Sequence, residues 1–305
     1  GYYLKMSNDD KLSSIIRTLS LADSNLENLI ANQDELTVTL NLAADYGLMI
    51  THNNGLYTLE NKLKILDKSI IYNHLELLNS DIDIELSIKD FVNTTTEEFD
   101  PREIKSNELK ISIAEFQKQG RGRQNRKWFS PFGAGISCSI FKHLSKNINP
   151  IGLSLYLGIR IIDALDEIGF HGIKLKWPND LYYKDKKLGG ILVDIYQNSD
   201  LDSVISLGIG INYCLPNNKN FNFDTEKTPI DLCSIIKDEN IDRSTVAGHL
   251  LKRVIENLNS FNENSLKDEQ ERWKDIDYLY AKTITIEIVD RQITGINRGI
   301  TSDGE

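Results

Sequence analysis

Between Phe116 and Lys127 the chain carries Lys118, Arg121, Arg123, Arg126 and Lys127 and no acid, although the whole sequence of 305 residues holds 45 acidic against 35 basic residues. Gly120 and Gly122 interleave with the arginines. Such a backbone can curl closely round a ligand while its N–H groups and guanidinium forks point at phosphate oxygens. The segment is not a P-loop, because GxxxxGK[ST] is missing. Trp128 and Phe129 follow at once and can fold the loop over what it encloses. A second concentration is Lys176, Asn179, Asp180 and Lys187. Trp177-Pro178 breaks a strand just after Lys176, so the alternation that buries Leu175 and Trp177 sends Lys176 to the opposite face. Lys187 stands at the mouth of the next strand, before Gly189-Gly190, where missing side chains admit a ligand to the backbone. Singly, these groups also fit a solvated basic loop or, for Lys187, the charged turn 184–187. Together Arg121, Arg123, Lys176 and Lys187 form a set that can gather the negative charge developing in phosphoryl or acyl-adenylate chemistry.

The elements that must position them belong to a globular protein. Apolar residues make up 40% and charged residues 26% of the chain, with six prolines, which fits neither disordered nor collagen-like nor membrane-spanning classes. No run approaches the ~18 apolar residues of a spanning helix, and the start GYYLKMSNDDKL has no secretory pattern. Cys138, Cys214 and Cys233 are an odd set with no close pair, which argues against a disulfide framework or a zinc knuckle and for a reducing cytoplasm. With a net charge of −10 a broad nucleic-acid surface is not expected, and any anion site must be a local basic concentration.

Residues 1–65 read as three short helices, around Ile15/Ile16/Leu19, Leu26/Leu29/Ile30 and the stretch through Leu40, Leu42 and Tyr46. A hairpin turning at Asn53-Asn54-Gly55 follows, a winged helix-turn-helix layout. After a linker at 66–80, residues 81–276 alternate strands with helices. Strands are expected at 111–116, 135–141, 173–177, 181–183, 188–196 and 204–212, in a mixed, mostly antiparallel sheet. Helices at 151–169 and from a Ser244 cap to Phe261 lie on one side of it, giving an α+β domain. Residues 277–305 begin a small β unit, with Thr283 to Val289 alternating strictly. Asp303-Gly304 announces a turn into a strand that does not follow, so an incomplete C-terminal unit is expected.

Gly120-Arg121-Gly122-Arg123, Lys127 to Gly133 (KWFSPFG), Lys176 to Leu181 (KWPNDL), Lys187 to Leu192 (KLGGIL) and Gly208 to Asn212 (GIGIN) closely resemble, in order and spacing, the bacterial bifunctional biotin protein ligase family. The resemblance implies a winged-helix N-terminal domain, a class II synthetase-like ligase domain and an SH3-like C-terminal domain. It implies adenylation of biotin by ATP, with Mg2+ on the phosphates and no protein-held metal. Transfer to a lysine of a biotin carboxyl carrier protein domain would follow. Asn93-Thr94-Thr95-Thr96 occupies the family's Asp-Ser-Thr-Asn segment, so the resemblance places Thr94, Thr95 and Thr96 against biotin, Asn93 and Thr96 departing from the pattern. It places Gln117 beside the ligand, Gly120, Arg121, Gly122, Arg123 and Trp128 over the adenylate, Lys187 at the reacting carboxylate and phosphate, and Lys176 near the nucleotide phosphates. None of His52, His74, His143, His171 or His249 falls in these motifs, and all read as structural or exposed.

Family members that repress the biotin operon dimerise with the adenylate as corepressor, so a homodimer and DNA binding are implied too. Residues 18–61 argue against the second: they hold Asp23, Glu27, Asp34, Glu35, Asp45 and Glu60 and no lysine or arginine. Helix-turn-helix contacts to phosphate come largely from basic side chains. A lipoate-type ligase of related fold and a non-enzymatic biotin-sensing regulator remain the alternative readings.

Overall fold

The computed structural model describes residues 6–26, 28–30, 32–61, 63–78, 81–144, 150–199, 202–216, 228–237, 242–262, 264–289 and 291–304. Helix α1 (Asn8–Leu21) starts on a capping box, Ser7 accepting from the Asp10 N–H and Asp10 from the Ser7 N–H. Helix α2 (Gln33–Asp45) is capped by Asn32, which accepts from the Glu35 N–H. Strands β1 (Ile50–Asn53) and β2 (Leu56–Leu59) form the expected hairpin, with Asn54 and Gly55 at φ of 50° and 81°. The helix expected around Leu26, Leu29 and Ile30 is not formed among the described residues. Ser24 exchanges both backbone hydrogen bonds with Tyr57, and only a turn from Leu26 to Leu29 follows. A residue committed to a strand cannot open a helix, and the neighbouring Asn25, Asn28 and Asn32 favour turns and caps over helix interiors.

Helix α3 (Lys68–Leu75) leads to β3 (Asp83–Val92), β4 (Glu108–Gln117), β5 (Gly135–Leu144), helix α4 (Pro150–Glu167), β6 (Ile173–Lys176), β7 (Asp180–Tyr183), β8 (Lys186–Ser199) and β9 (Asp202–Asn212). These strands make one sheet in the order β3-β4-β5-β9-β8-β7-β6, parallel between β3 and β4 and antiparallel elsewhere. Helices α5 (Leu232–Ile236), α6 (Arg243–Ser260) and α7 (Gln270–Ile276) follow, then the hairpin β10 (Thr283–Ile288) and β11 (Arg291–Ile296). The period of two explains the core. Ile111, Ile113, Ile136, Cys138, Ile140, Ile209 and Ile211 bury one face of the sheet against Leu153, Leu157 and Ile161 of α4 and Val246, Leu250 and Val254 of α6. Each such side chain stabilises the fold by about 1.5–3 kcal/mol; on the other face Phe141 and Val204 are buried against Ile104 and Phe99, and the glycine and serine positions beside them are left for a site.

Two local expectations are corrected. Asp242, not Ser244, caps α6 by accepting from the Thr245 N–H at 2.6 Å; the Ser244 hydroxyl instead accepts the Asp67 N–H at 2.9 Å, pinning the start of α3. Trp177 is 39% exposed rather than buried, because Pro178 ends the strand's alternation and the indole reaches out to donate to the Gly304 carbonyl at 2.8 Å. The N-terminal elements rest on the sheet's end: Tyr46 stacks on Phe116 at 4.1 Å, and the Phe132 N–H donates to the Tyr46 carbonyl at 2.9 Å. Among the described residues no helix is long and apolar enough to cross a membrane.

Candidate active site

On the helix-free face, β5, β9 and β8 present almost no side chain. Ser137 lies opposite Gly210 and Ser139 opposite Gly208, while Gly190 and Leu192 of β8 pair with the same two glycines. Since Ile136, Cys138, Ile140, Ile209 and Ile211 are spent on the core, their neighbours must face the other way. The result is a trough floored by glycine and serine. Ser137 and Ser139 were not singled out from the sequence, yet the signal is present there. In Gly135 to Ile140 and Gly208 to Asn212, large residues alternate with glycine and serine, a pattern that fills one face and keeps the other clear.

At one end of this floor stands the turn after β3. Thr94, Thr95 and Thr96 are 2%, 3% and 5% exposed, and Thr96 packs on Gly208. The Gln117 side-chain carbonyl, at the end of β4, accepts from the Thr95 N–H at 2.9 Å and from the hydroxyls of Thr95 and Thr94 at 3.1 and 3.3 Å. Ser139 in turn donates to the Thr95 hydroxyl at 2.7 Å. The structure thus joins the threonines and Gln117 into one hydrogen-bonded unit, with the amide's NH2 end left facing Gly120.

The glycine–arginine segment is a small hairpin. Gly120 accepts from the Trp128 N–H, Gly122 donates to the Arg126 carbonyl, and Gln124 and Asn125 turn the tip at φ of 56° and 58°. Gly120 has no room for a side chain, since a Cβ there would lie 2.2 Å from the Trp128 carbonyl oxygen. Trp128 itself lies across Gly210, whose Cβ would meet the indole at 2.7 Å, so the hairpin reaches over the trough. Among the described residues its buried indole N–H has no hydrogen-bond partner. At the tip, Arg121 to Asn125 line a cleft of about 410 Å³ with Pro178, Ile191 to Asp194, Ile151 and Ser154.

The cations divide into held and free. Lys187 stands 2.8 Å from Asp180 and 5.9 Å from the centre of the Trp128 ring, beside Gly190. Lys176 lies 5.2 Å over the Tyr182 ring, on the face opposite Leu175 as expected. Arg121 sits 3.7 Å from both Glu97 and Asp194. Arg123 is exposed, and among the described residues its guanidinium meets no partner. Chemically the site offers cations, N–H donors and an aromatic cover. A thiol nucleophile is not on offer, because Cys138 points into the core and burial pushes it up to about 12. The described residues contain no group of His, Cys, Asp and Glu able to hold a metal.

Residues 89–212 match the model of the biotin/lipoate A/B protein ligase family. The bifunctional ligase/repressor BirA of Salmonella typhimurium is 32% identical over 254 residues, covering 81% of this chain and 75% of that protein. The Escherichia coli protein of the same name is 37% identical over 196 residues, covering 63% of this chain and 59% of the relative. Among solved structures, a biotin protein ligase from Aquifex aeolicus in complex with biotin and ATP superimposes with a TM-score of 0.59 at 29% identity, over 72% of this chain and 89% of that one. The α+β fold with its mixed sheet is therefore that of a ligase domain, and the chain belongs to the biotin protein ligase family.

Proposed function

We propose that the protein is an ATP-dependent, AMP-forming biotin protein ligase. The observation that carries this is the trough: a cleared sheet face, walled by the Gln117–threonine unit and overhung by a cationic hairpin, suits a slim uncharged ring system whose tail carries a carboxylate. In this reading Thr94, Thr95, Thr96 and Gln117 take the ureido end of biotin, and Gly120, Gly122 and Trp128 cover it. Lys187 and Arg123 meet the carboxylate and α-phosphate, and Lys176 the remaining phosphates of Mg–ATP. Biotin's carboxylate oxygen attacks the α-phosphorus, pyrophosphate leaves, and a lysine amine then attacks the acyl carbon and expels AMP. The cations act by stabilising charge that grows in the first step. The acceptor is a lysine of a biotin carboxyl carrier protein domain, and the setting is the cytoplasm. The test is pyrophosphate release from ATP with biotin, with lipoate and with neither. Release with biotin alone supports the reading, and release with lipoate alone favours a lipoate-type ligase.

Replacing Arg123 by glycine is expected to speed loss of the adenylate more than it slows its formation, since an exposed arginine on the covering hairpin contributes mainly to the closed state. The readout is biotinylation of lysines on a bystander protein. No bystander labelling together with normal adenylate retention would make Arg123 a solvated residue.

Residues 1–65 are proposed to be a winged-helix module and residues 277–305 the beginning of an SH3-like unit; 66–80 leads into the ligase domain 81–276 and carries α3, whose Ile71 and Leu75 pack into that domain's core. Repression by this chain is disfavoured by the ion pairs around the N-terminal module. Lys11, which flanks the uncharged-to-acidic stretch 18–61, is paired with Glu35, and Arg17 binds Asp90 at 2.6 Å. Lys5, Glu27 and Lys62 lie outside the described residues. DNA affinity rises with the number of phosphates neutralised, so binding to the protein's own biotin-operon promoter is expected to be weaker than micromolar at roughly 150 mM salt, with biotin and ATP present. Biotin-dependent nanomolar binding, with a homodimer, would restore the repressor role.

A further inference from the structure

The resemblance places Arg121 over the adenylate, but its guanidinium already lies between two carboxylates. Nη1 lies 3.7 Å from a carboxylate oxygen of Glu97 and 3.7 Å from one of Asp194. Tyr196 lies beside the same side chain, and burial raises its phenol, which stays neutral near pH 7. A phosphate approaching Arg121 would meet two carboxylates beside its Nη1 and be repelled by both.

These partners come from separate walls of the site. Glu97 ends the turn that carries Thr95 and Thr96, while Asp194 and Tyr196 continue β8 beyond Leu192, on the trough face. The backbone of Arg121 is bridged to Lys127, next to Trp128, so force applied at Arg121 is carried into the part of the hairpin that covers Gly210. Among the described residues Asp194 Oδ2 is buried and makes no hydrogen bond, its contact with Arg121 being ionic at 3.7 Å. An inward shift of several tenths of an ångström would turn that contact into a charge-assisted hydrogen bond.

We infer that Arg121 is a positioning residue: gripped between Glu97 and Asp194, it clasps the glycine–arginine hairpin down onto the trough and leaves direct anion binding to Arg123. The consequence for adenylate retention rests on the ligase reading; the clasp itself does not. Arg121, Glu97 and Asp194 side chains are 42%, 62% and 27% exposed, and pairs that exposed are individually weak, so effects of about fivefold are expected.

The experiment compares the full chain with Glu97→Gln/Asp194→Asn by two readouts. Without ligands, trypsin should nick segment 118–127 about fivefold faster in the variant, and Asp194→Glu, which keeps the charge, should stay protected. With biotin and ATP, release of the adenylate should be about fivefold faster while KM for ATP is unchanged. Unchanged nicking overturns the clasp. So does a lower KM for ATP with slower release, which would mean that a freed Arg121 binds phosphate. If the wild-type protein forms no adenylate, the ligase reading fails, and the nicking comparison still decides the clasp.

Discussion

Lys187→Ala is expected to lower kcat/KM for biotin-dependent pyrophosphate–ATP exchange by about 10²–10³-fold, the loss typical when one preorganised group aimed at developing charge is removed. The structure gives this substitution two effects. It deletes the ammonium that stands beside Gly190 and the Trp128 ring, and it strips Asp180 of the partner held at 2.8 Å. An unmasked carboxylate in a site that collects anions opposes the phosphates as well, since like charges at close range disfavour each other's ionised forms. Lys187→Ala/Asp180→Asn should therefore recover about tenfold of the loss, whereas Lys176→Ala, with its ammonium over the Tyr182 ring, should cost less than Lys187→Ala. Initial rates of exchange across biotin and ATP concentrations separate the contributions to KM and kcat. Lys187 is partly exposed and supports no core packing, so unfolding midpoints should stay unchanged. Exchange at the wild-type rate in Lys187→Ala would remove this residue from the chemistry.

Much of this site was legible in the sequence because its signals are local. Segments 111–116, 135–141 and 204–212 already read as strands, and the acid-free stretch from Phe116 to Lys127 stood out against an acidic chain. Spacing along one strand says which face a residue takes; it does not say what stands opposite. For that reason the Gln117–threonine unit, the Lys187–Asp180 pair and the grip of Glu97 and Asp194 on Arg121 emerged only with the fold. The failed helix near Leu26 has the same origin: its apolar spacing was helical, but a bridge from Ser24 to the distant Tyr57 claimed the backbone first. Likewise Asp242 and Ser244 are both competent caps by type, and the nearby Asp67 N–H decides which hydroxyl or carboxylate is free to serve α6.

Behind the trough, the largest stability effect is expected from Arg243→Ala, at about 3–5 kcal/mol, because it leaves a buried carboxylate without its countercharge. Arg243 is fully buried and Glu115 is 3% exposed. The guanidinium binds the Glu115 carboxylate through Nη2 and donates to the Gly135 carbonyl at 3.2 Å through Nη1. Glu115 also accepts the Leu66 N–H at 2.6 Å, and its own backbone carbonyl accepts the Gly133 N–H at 3.0 Å. One pair therefore ties the segment before α3, strand β4 just ahead of Gln117, the start of β5 and helix α6. Breaking it should loosen both ends of the glycine–arginine hairpin. A domain has only about 5–15 kcal/mol of net stability, so the thermal midpoint should fall by roughly 10 °C. Replacing both partners, Glu115→Leu with Arg243→Met, should recover most of the loss, since an apolar pair of similar volume removes the desolvation cost along with the attraction. The Arg243 Nε, buried and without an acceptor among the described residues, makes that recovery more complete, because the wild-type pair carries an unsatisfied donor that the apolar pair lacks. Thermal and urea unfolding of the single and double variants measures the cycle. A single variant within about 1 kcal/mol of wild type would show that the pair contributes little net stability.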